Sequence, residues 1–245
     1  MKTVLITGAN KSIGLETARQ LLQQGYYVYL GSRDIQKGQQ AINQLHSEGL
    51  SQVEPIEIDV DHIESIQAAR EILGQKIKVL DVLINNAGIS GAMPQTPLET
   101  DIGVFKKVLE TNFFGVIAVT QAFIDLLKQS SEPRIVNVTS GLGSLTLHND
   151  PAWKYYEVKP ACYVASKAAL NAYTIVLAYD LRNTLFKVNA VDPGYTATDF
   201  NNHSGPGTVA DAALRVVKAA LISSDGPTGQ FFSDDNIEQT GVSPW

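Results

Sequence analysis

The stretch that decides the fold reads Thr7-Gly8-Ala9-Asn10-Lys11-Ser12-Ile13-Gly14. It lies between a β-branched run at 3–7 and a run of helical periodicity at about 12–24. Small residues in such a turn let the backbone approach a pyrophosphate, and the first N–H groups of the helix are free to bind it. The turn therefore predicts a dinucleotide site, although glycines at a strand-to-helix junction can also serve the turn alone.

The alternation of short strands with longer helical runs continues along the chain, which is typical of βαβ units around a parallel sheet. Further strands are predicted at 27–32, 53–59, 82–85, 134–139, 187–192 and 231–233. Further helices are predicted at 35–48, 63–77, 100–128, 163–183 and 208–223. We therefore predict one domain over 1–245 with a doubly wound α/β (Rossmann) fold, in which helices cover both faces of a parallel sheet of about seven strands.

Two segments interrupt this alternation. Residues 141–161 lack clear periodicity and contain two prolines, so they are predicted to form a loop insertion with at most one short turn. Residues 195–207 are polar and contain glycine and proline, which favours a second loop. Both segments follow strands that are predicted to end at the same edge of the sheet, and we expect the second to border the substrate.

Composition excludes several classes of function. The 245 residues carry a net charge of −6 and no Lys/Arg cluster, so a nucleic-acid partner is not expected. The single cysteine, Cys162, excludes a disulfide scaffold. The N-terminal run reaches Gly8 too early for a signal peptide, and no apolar run approaches the ~18 residues of a membrane span. We therefore expect a soluble, cytoplasmic protein without a membrane partner.

The four histidines are scattered at positions 46, 62, 148 and 203. They offer no metal-ligand spacing, so no metal site is predicted and all four are interpreted as solvated.

The glycine-rich turn resembles that of the short-chain dehydrogenase/reductase family, Thr-Gly-x-x-x-Gly-x-Gly, and the resemblance extends over essentially the whole chain. Thr7, Gly8 and Gly14 match, but Ser12 stands where the middle glycine is expected. If that position requires a positive φ, the serine costs conformational energy. The resemblance implies an oxidoreductase that uses a nicotinamide cofactor.

The end of the second predicted strand indicates which cofactor. An acidic residue there usually holds the 2′-hydroxyl of NAD, but this chain reads Ser32-Arg33-Asp34. Arg33 can bind a 2′-phosphate in bidentate fashion, and Lys11 could add a second positive charge. The family uses basic residues at these positions to select NADP(H), which is the cofactor predicted here. The alternatives are that both charges are merely solvated, or that Asp34 accepts a ribose hydroxyl.

Three further motifs match the family's cofactor-binding segments. Asp59-Val60 follows the third strand, Asn85-Asn86-Ala87-Gly88 follows the fourth, and Asp192-Pro193-Gly194-Tyr195-Thr196-Ala197-Thr198 follows the sixth. Thr196 departs from the apolar residue that is usual there. The resemblance implies that the cofactor contacts Gly8, Asn10, Lys11, Ser12, Ile13, Gly14, Arg33, Asp59, Val60, Asn86, Ala87, Gly88, Tyr163, Lys167, Pro193, Gly194, Thr196 and Thr198.

Two Tyr-x-x-x-Lys segments compete for the catalytic role. Tyrosine is a weak acid with a pKa of about 10, and a neighbouring ammonium group lowers that value. Tyr163 and Lys167 share one face of a predicted helix. Tyr155 and Lys159 have the same spacing and lie closer to Ser140, but the following Pro160 disfavours a helix there. We therefore predict that Tyr163 is the general acid.

The resemblance supplies two more catalytic residues. Ser140, at the end of Val136-Asn137-Val138-Thr139-Ser140, would donate a hydrogen bond to the substrate oxygen. Asn112, in Thr111-Asn112-Phe113-Phe114-Gly115, would hold a water that links Lys167 to solvent. The alternatives are a polar turn residue for Ser140 and a weak helix former for Asn112.

The predicted reaction is hydride transfer from NADPH to the carbonyl of a small aldehyde or ketone. The lengthened 141–161 segment resembles that of the cytosolic, monomeric carbonyl reductases of this family, so a monomer is slightly favoured over a homo-oligomer. Its aromatic residues, which include Trp153 and Tyr155, suggest an apolar substrate or simply pack the loop down. A non-catalytic NADP(H)-binding regulator is the alternative. Enoyl reduction is disfavoured because no tyrosine has a lysine seven residues on.

Overall fold

The computed structural model describes residues 1–245 and contains one sheet of seven parallel strands in the order β3-β2-β1-β4-β5-β6-β7. The strands are β1 (Thr3–Ile6), β2 (Tyr27–Ser32), β3 (Val53–Glu57), β4 (Val82–Asn85), β5 (Arg134–Val138), β6 (Lys187–Val191) and β7 (Phe231–Phe232). The predicted doubly wound α/β fold is confirmed. The strand order reverses between β1 and β4, and the crevice at such a switch point is where these folds bind ligands.

Seven α-helices connect the strands. They are α1 (Ser12–Gln23), α2 (Ile35–Ser47), α3 (Ile63–Lys76), α4 (Ile102–Leu109), α5 (Gly115–Leu127), α6 (Ala161–Asp180) and α7 (Val209–Ala220). A π-helical turn, Glu110–Phe114, joins α4 to α5.

The two faces of the sheet bury separate cores. Val4 and Ile6 of β1 point into a cluster formed with α1, α2 and α7, whereas Leu5 between them points into a cluster formed with α3, α5 and α6. Alternate side chains of a strand point to opposite faces, so a strand covered on both sides must be apolar throughout. This explains the uninterrupted apolar runs in the sequence.

Several predicted boundaries are wrong by one to three residues. The predicted strand 53–59 ends at Glu57, and the predicted helix 163–183 spans Ala161–Asp180. The largest difference is the predicted helix 100–128, which begins at Ile102 and is divided by the π turn. Its start is set by Asp101, whose carboxylate accepts a hydrogen bond from the N–H of Gly103 at 2.7 Å.

The 141–161 segment contains two 3-10 turns, Gly141–Gly143 and Leu147–Asn149, where at most one was predicted. The C-terminal segment holds it in place. Ser144 donates to the carbonyl of Pro244 at 2.7 Å, and the Trp153 indole N–H donates to Asn236 at 3.2 Å. Because Trp153 is buried and hydrogen-bonded in this way, it packs the loop down.

The prediction that all four histidines are solvated is wrong for His148. Its ring is half-buried, contacts the carbonyl of Leu142 at 2.9 Å and packs edge-on against Trp153. Burial lowers the pKa of His148. His46, His62 and His203 are exposed, and no group of metal-ligating side chains is present.

One helix, α6, is long and apolar enough by composition to cross a membrane, although the sequence has no uninterrupted apolar run of that length. In the fold, α6 packs against β6 and the π turn.

Candidate active site

The glycine-rich turn is packed so tightly that two of its positions require glycine. Gly8 has a φ of +62°, and a Cβ there would lie 2.9 Å from the Cα of Ala87. A Cβ on Gly14 would lie 2.6 Å from the Asn86 amide nitrogen and from the Gly8 carbonyl. The turn therefore rests directly on the segment that follows β4.

The start of α1 presents free N–H groups beside this turn. Lys11 occupies the N-cap position but makes no side-chain cap, so the first N–H groups of the helix have no side-chain partner. Ser12 has a φ of +49°, which costs a non-glycine residue roughly 1–2 kcal/mol. The position thus does require the left-handed conformation. The tight turn and the uncapped helix start together fit a pyrophosphate.

Asn85 and Asn86 tie the ends of neighbouring strands together. Asn86 donates to the carbonyls of Thr7 and Gly8 at 2.9 and 3.0 Å, which joins β4 to β1. Asn85 donates to Asn137 at 2.9 Å, which joins β4 to β5. These amides fix the edge of the sheet on which the cofactor-binding segments lie.

The three charged residues considered for cofactor selection differ in their partners. Arg33 is exposed just beyond β2 and takes part in no ion pair. Asp34 caps α2 by accepting from the N–H groups of Gln36 and Lys37 at 3.0 and 3.1 Å, and the Lys37 hydrogen bond lowers its pKa. The Asp34 carboxylate is therefore already engaged in the cap, whereas the Arg33 guanidinium is available.

Lys11 is not free. Its ammonium group lies 3.0 Å from a carboxylate oxygen of Asp199, in the 195–207 loop. The pair bridges the glycine-rich turn and that loop. Both side chains are largely exposed, so the bridge contributes little to the free energy of unfolding.

The remaining cofactor candidates line the same edge. Asp59 accepts from the N–H of Asp61 at 3.1 Å, and Val60 is buried against Gly115. After β6, the residues Pro193, Gly194, Thr196 and Thr198 form a buried or half-buried turn. Asn10 and Ile13 flank Lys11 and Ser12 in the glycine-rich turn, where both side chains are half-buried.

Tyr163 and Lys167 lie in the first turns of α6, with the Lys167 nitrogen 5.8 Å from the centre of the Tyr163 ring. Lys167 is buried and donates to the carbonyl of Val138 at 2.9 Å. Ser140 begins the 3-10 turn after β5 and its hydroxyl accepts from the N–H of Leu142 at 3.2 Å. The Phe200 ring packs 5.7 Å from that of Tyr163, so the 195–207 loop covers the tyrosine.

The pKa of Tyr163 is raised rather than lowered in this structure. Burial is the dominant cause, and a hydrogen bond with Ser140 acts in the opposite direction. Burial also lowers the pKa of Lys167 to about 8. The expected lowering of the tyrosine pKa by the ammonium group is not seen, because burial of the Tyr163 side chain dominates.

Asn112 lies at the centre of the π turn and is fully buried. Its oxygen accepts from the N–H of Ile89 at 2.8 Å, and its nitrogen donates to Ile89 and Ser166 at 2.9 and 3.0 Å. A Cβ on Gly88 would lie 3.2 Å from the Asn112 oxygen and 3.7 Å from the Lys167 nitrogen. Asn112 and Lys167 thus border the same glycine, and the amide oxygen keeps one lone pair for a further donor.

The competing pair, Tyr155 and Lys159, is held apart by other partners. Tyr155 donates to Asp235 at 2.8 Å, and burial together with this bond raises its pKa. Lys159 contacts His148 and lies over the Tyr156 ring. The two side chains therefore share no site.

A comparison with known proteins decides the family. The family model for short chain dehydrogenase matches residues 2–208. The chain belongs to the short-chain dehydrogenase family. It is 34% identical to (+)-neomenthol dehydrogenase from Capsicum annuum, over 93% of this chain and 94% of the relative.

Solved structures of short-chain dehydrogenases are similar as well. Salutaridine reductase from Papaver somniferum has a TM-score of 0.83 and 30% identity, covering 94% of this chain and 99% of that one. NADPH-bound carbonyl reductase from chicken fatty liver has a TM-score of 0.85 and 27% identity, covering 100% and 99%. The family resemblance and the fold inferred from the sequence are confirmed.

Sequence reasoning missed two buried residues of this short-chain dehydrogenase site. Gln95 accepts from the N–H groups of Cys162 and Tyr163 at 3.0 and 3.1 Å and thereby caps α6. No local pattern marks it, because its partners lie 67 and 68 residues away. Asp192 belongs to a motif that points only to a turn, but its side chain is buried directly after β6.

Proposed function

We propose that this short-chain dehydrogenase is a carbonyl reductase, which transfers a hydride from NADPH to the carbonyl carbon of a small aldehyde or ketone. The observation that carries the proposal is the convergence of Asn112, Ser140, Tyr163 and Lys167 beside the glycine-rich cradle. Relatives named as reductases, and the similar carbonyl reductase with NADPH bound, support the reaction and the cofactor.

NADPH, when bound, supplies the hydride, and the side chains of this chain handle the oxygen and the proton. The hydroxyl groups of Ser140 and Tyr163 donate hydrogen bonds to the carbonyl oxygen, where negative charge develops. Tyr163 then gives its proton to that oxygen as the general acid. Its raised pKa keeps it protonated at neutral pH.

Lys167 and Asn112 resupply that proton in the proposed cycle. Lys167 has a pKa of about 8, so its ammonium form is available near neutral pH. The free lone pair of Asn112 provides a place for a water next to Lys167. Reduction is therefore expected to slow as the pH rises through about 8.

NADP(H) is proposed as the cofactor because the Arg33 guanidinium is exposed and unpaired where the adenine ribose is expected. We propose that the pyrophosphate lies against the free N–H groups at the start of α1. Lys11 can contribute a second charge only by leaving or sharing its partner Asp199. The other sequence-predicted cofactor contacts stay predictions on the same edge of the sheet.

The experiment has two parts. NADPH and NADH are titrated against the protein and its Arg33→Ala variant, and turnover is then measured on a panel of apolar aldehydes and ketones. Loss of a charge-assisted contact costs about 1.5–3 kcal/mol, which weakens NADPH binding roughly 10- to 150-fold and leaves NADH binding unchanged. Arg182→Ala, at an exposed arginine that lies over Tyr179, serves as the control.

The outcomes separate the alternatives. Equal binding of the two cofactors by the unaltered protein would contradict the NADP(H) assignment. NADPH binding with no turnover on any carbonyl of the panel would favour the regulatory alternative.

We also propose a cytoplasmic monomer without a membrane partner. The single cysteine, Cys162, is buried and forms no disulfide scaffold of the kind typical of secreted proteins. The monomer proposal rests on the lengthened 141–161 segment, which contacts the C-terminal segment. Apolar side chains of the π turn and α6, such as Phe114 and Val176, are exposed, and they are the surface an oligomer would use.

A further inference from the structure

Asp192 is a buried carboxylate where three strands end. It follows β6 and is 4% exposed. One oxygen accepts from the N–H of Gly194 at 2.9 Å, and the other accepts from the Ser233 hydroxyl at 2.6 Å. Gly141, in the turn after β5, packs against the same carboxylate. Asp192 therefore connects the turns that follow β5, β6 and β7.

The Asp192 carboxylate is closely packed against the residues around it. A Cβ on Gly141 would lie 3.0 Å from the Asp192 oxygen and 2.8 Å from Asn236. Gly141 directly follows Ser140, whose hydroxyl interacts with Tyr163. The position of Ser140 is thus fixed through Gly141 by the Asp192 carboxylate.

Asp192 forms no salt bridge with a basic side chain. The nearby arginine, Arg215 of α7, contacts Asp234 and the carbonyl of Pro193 instead. A buried carboxylate without an ion pair is costly. Burial raises the pKa of the Asp192 carboxyl, and the hydrogen bonds from Ser233 and Gly194 act in the opposite direction and favour the charged form.

The charged and titratable groups around Asp192 come from three segments. Tyr163 and Lys167 face it from α6, Tyr155 from the 141–161 segment, and Asp235 from the residues after β7. Asp192 is the only carboxylate whose charge acts on both Tyr163 and Lys167.

We propose that Asp192 is a positioning residue for the proposed carbonyl reduction. Its carboxylate fixes the Ser140–Gly141 and Pro193–Gly194 turns against α6 and places a negative charge near the Tyr163–Lys167 pair. This inference rests on the proposed function and deepens it, since it assigns a group that positions the acid–base pair and favours its protonated form.

The charge of Asp192 is expected to extend the pH range of the reduction to higher pH. The charge of Asp192 raises the pKa of both Tyr163 and Lys167, so each holds its proton to a higher pH. Reduction requires that proton. The two groups are expected to titrate as a coupled pair with shared apparent pKa values.

The test compares Asp192→Asn with Ser233→Ala. Both variants weaken the same connection between the turns, but only Asp192→Asn removes the charge. Circular dichroism and thermal melting establish that each variant is folded. The pH profile of kcat/KM for NADPH-dependent reduction and the pH dependence of NADPH binding are then measured for both variants and the unaltered protein.

In Asp192→Asn, the alkaline limb of the kcat/KM profile is expected to shift to lower pH by about one unit. This is the lower end of the effect that a charge has on the pKa of a neighbouring group. In Ser233→Ala the limb should stay where it is in the unaltered protein, even if kcat falls. An equal shift in both variants, or no shift in an active Asp192→Asn, would overturn the proposal.

Two further outcomes are informative. If Asp192→Asn is unfolded, Asp192→Ser is measured in the same way, and failure of both to fold would show that Asp192 serves folding and overturn the proposal. If the unaltered protein binds NADPH but reduces no carbonyl, the proposed function fails. The pH dependence of NADPH binding, which reports the Lys167 charge, then still decides whether Asp192 acts on the pair.

Discussion

Replacement of Gln95 by alanine is expected to loosen the start of α6 and to lower both stability and turnover. The Gln95 side chain is 6% exposed and makes four hydrogen bonds. Its oxygen accepts from the N–H groups of Cys162 and Tyr163, and its nitrogen donates to the carbonyls of Ser90 and Ala92 at 2.7 and 3.1 Å.

The magnitude follows from these contacts. Loss of a helix cap costs about 1 kcal/mol. A buried N–H left without a partner adds about 1–3 kcal/mol, and Cys162 is fully buried. The free energy of unfolding should therefore fall by about 2–4 kcal/mol. Since Tyr163 loses the anchor of its own N–H group, kcat should fall by about tenfold, within the ~10²-fold that a 1 Å misplacement can cost.

The assay is urea denaturation together with steady-state kinetics. Gln95→Met keeps most of the side-chain volume and removes the hydrogen bonds, so it should lose nearly as much stability as Gln95→Ala. Gln129→Ala, at an exposed residue after α5, is the control and should change the free energy of unfolding by at most about 0.5 kcal/mol. A Gln95→Ala variant with unchanged stability and unchanged kcat would refute this reasoning.

Two other predictions concern strain and assembly. Ser12→Gly should raise the free energy of unfolding by up to about 1 kcal/mol, because relief of the left-handed φ exceeds the added chain entropy. Ser12→Ala should not raise it. Equal effects of the two substitutions on the free energy of unfolding, measured by urea denaturation, would contradict the strain at Ser12. Sedimentation equilibrium should give the mass of one chain, and a mass near two or four chains would contradict the monomer.

The parts of the fold that the sequence predicts are those with local causes. The glycine-rich turn follows from short-range steric limits at Gly8 and Gly14, and the strands follow from uninterrupted apolar runs. The π turn at Glu110–Phe114 continues directly from α4 into α5 without a glycine or proline break before it, so the helical pattern of the sequence does not reveal it. Asn112 lies in this turn, and π turns are common at functional sites.

The site was predictable where a motif carries the chemistry. Tyr163, Lys167, Ser140 and Asn112 each lie in a recognisable segment, and the structure brings them together. Residues that act across the fold carry no such signal. The Lys11–Asp199 pair joins positions 188 residues apart, and Gln95 reaches α6 from a loop. The raised pKa of Tyr163 also depends on burial, which the spacing of two side chains does not report.

The measurement that tests the central claim most directly is the comparison of Tyr163→Phe with Tyr155→Phe. Each substitution removes one hydroxyl from tyrosines that precede a lysine by four residues. Tyr163→Phe should still bind NADPH but lose about 10²–10⁴-fold in kcat for carbonyl reduction, because the general acid is gone. Tyr155→Phe loses only its bond to Asp235 and should keep a nearly unchanged kcat. An inactive Tyr155→Phe beside an active Tyr163→Phe would contradict the assignment of the acid and of the site around it.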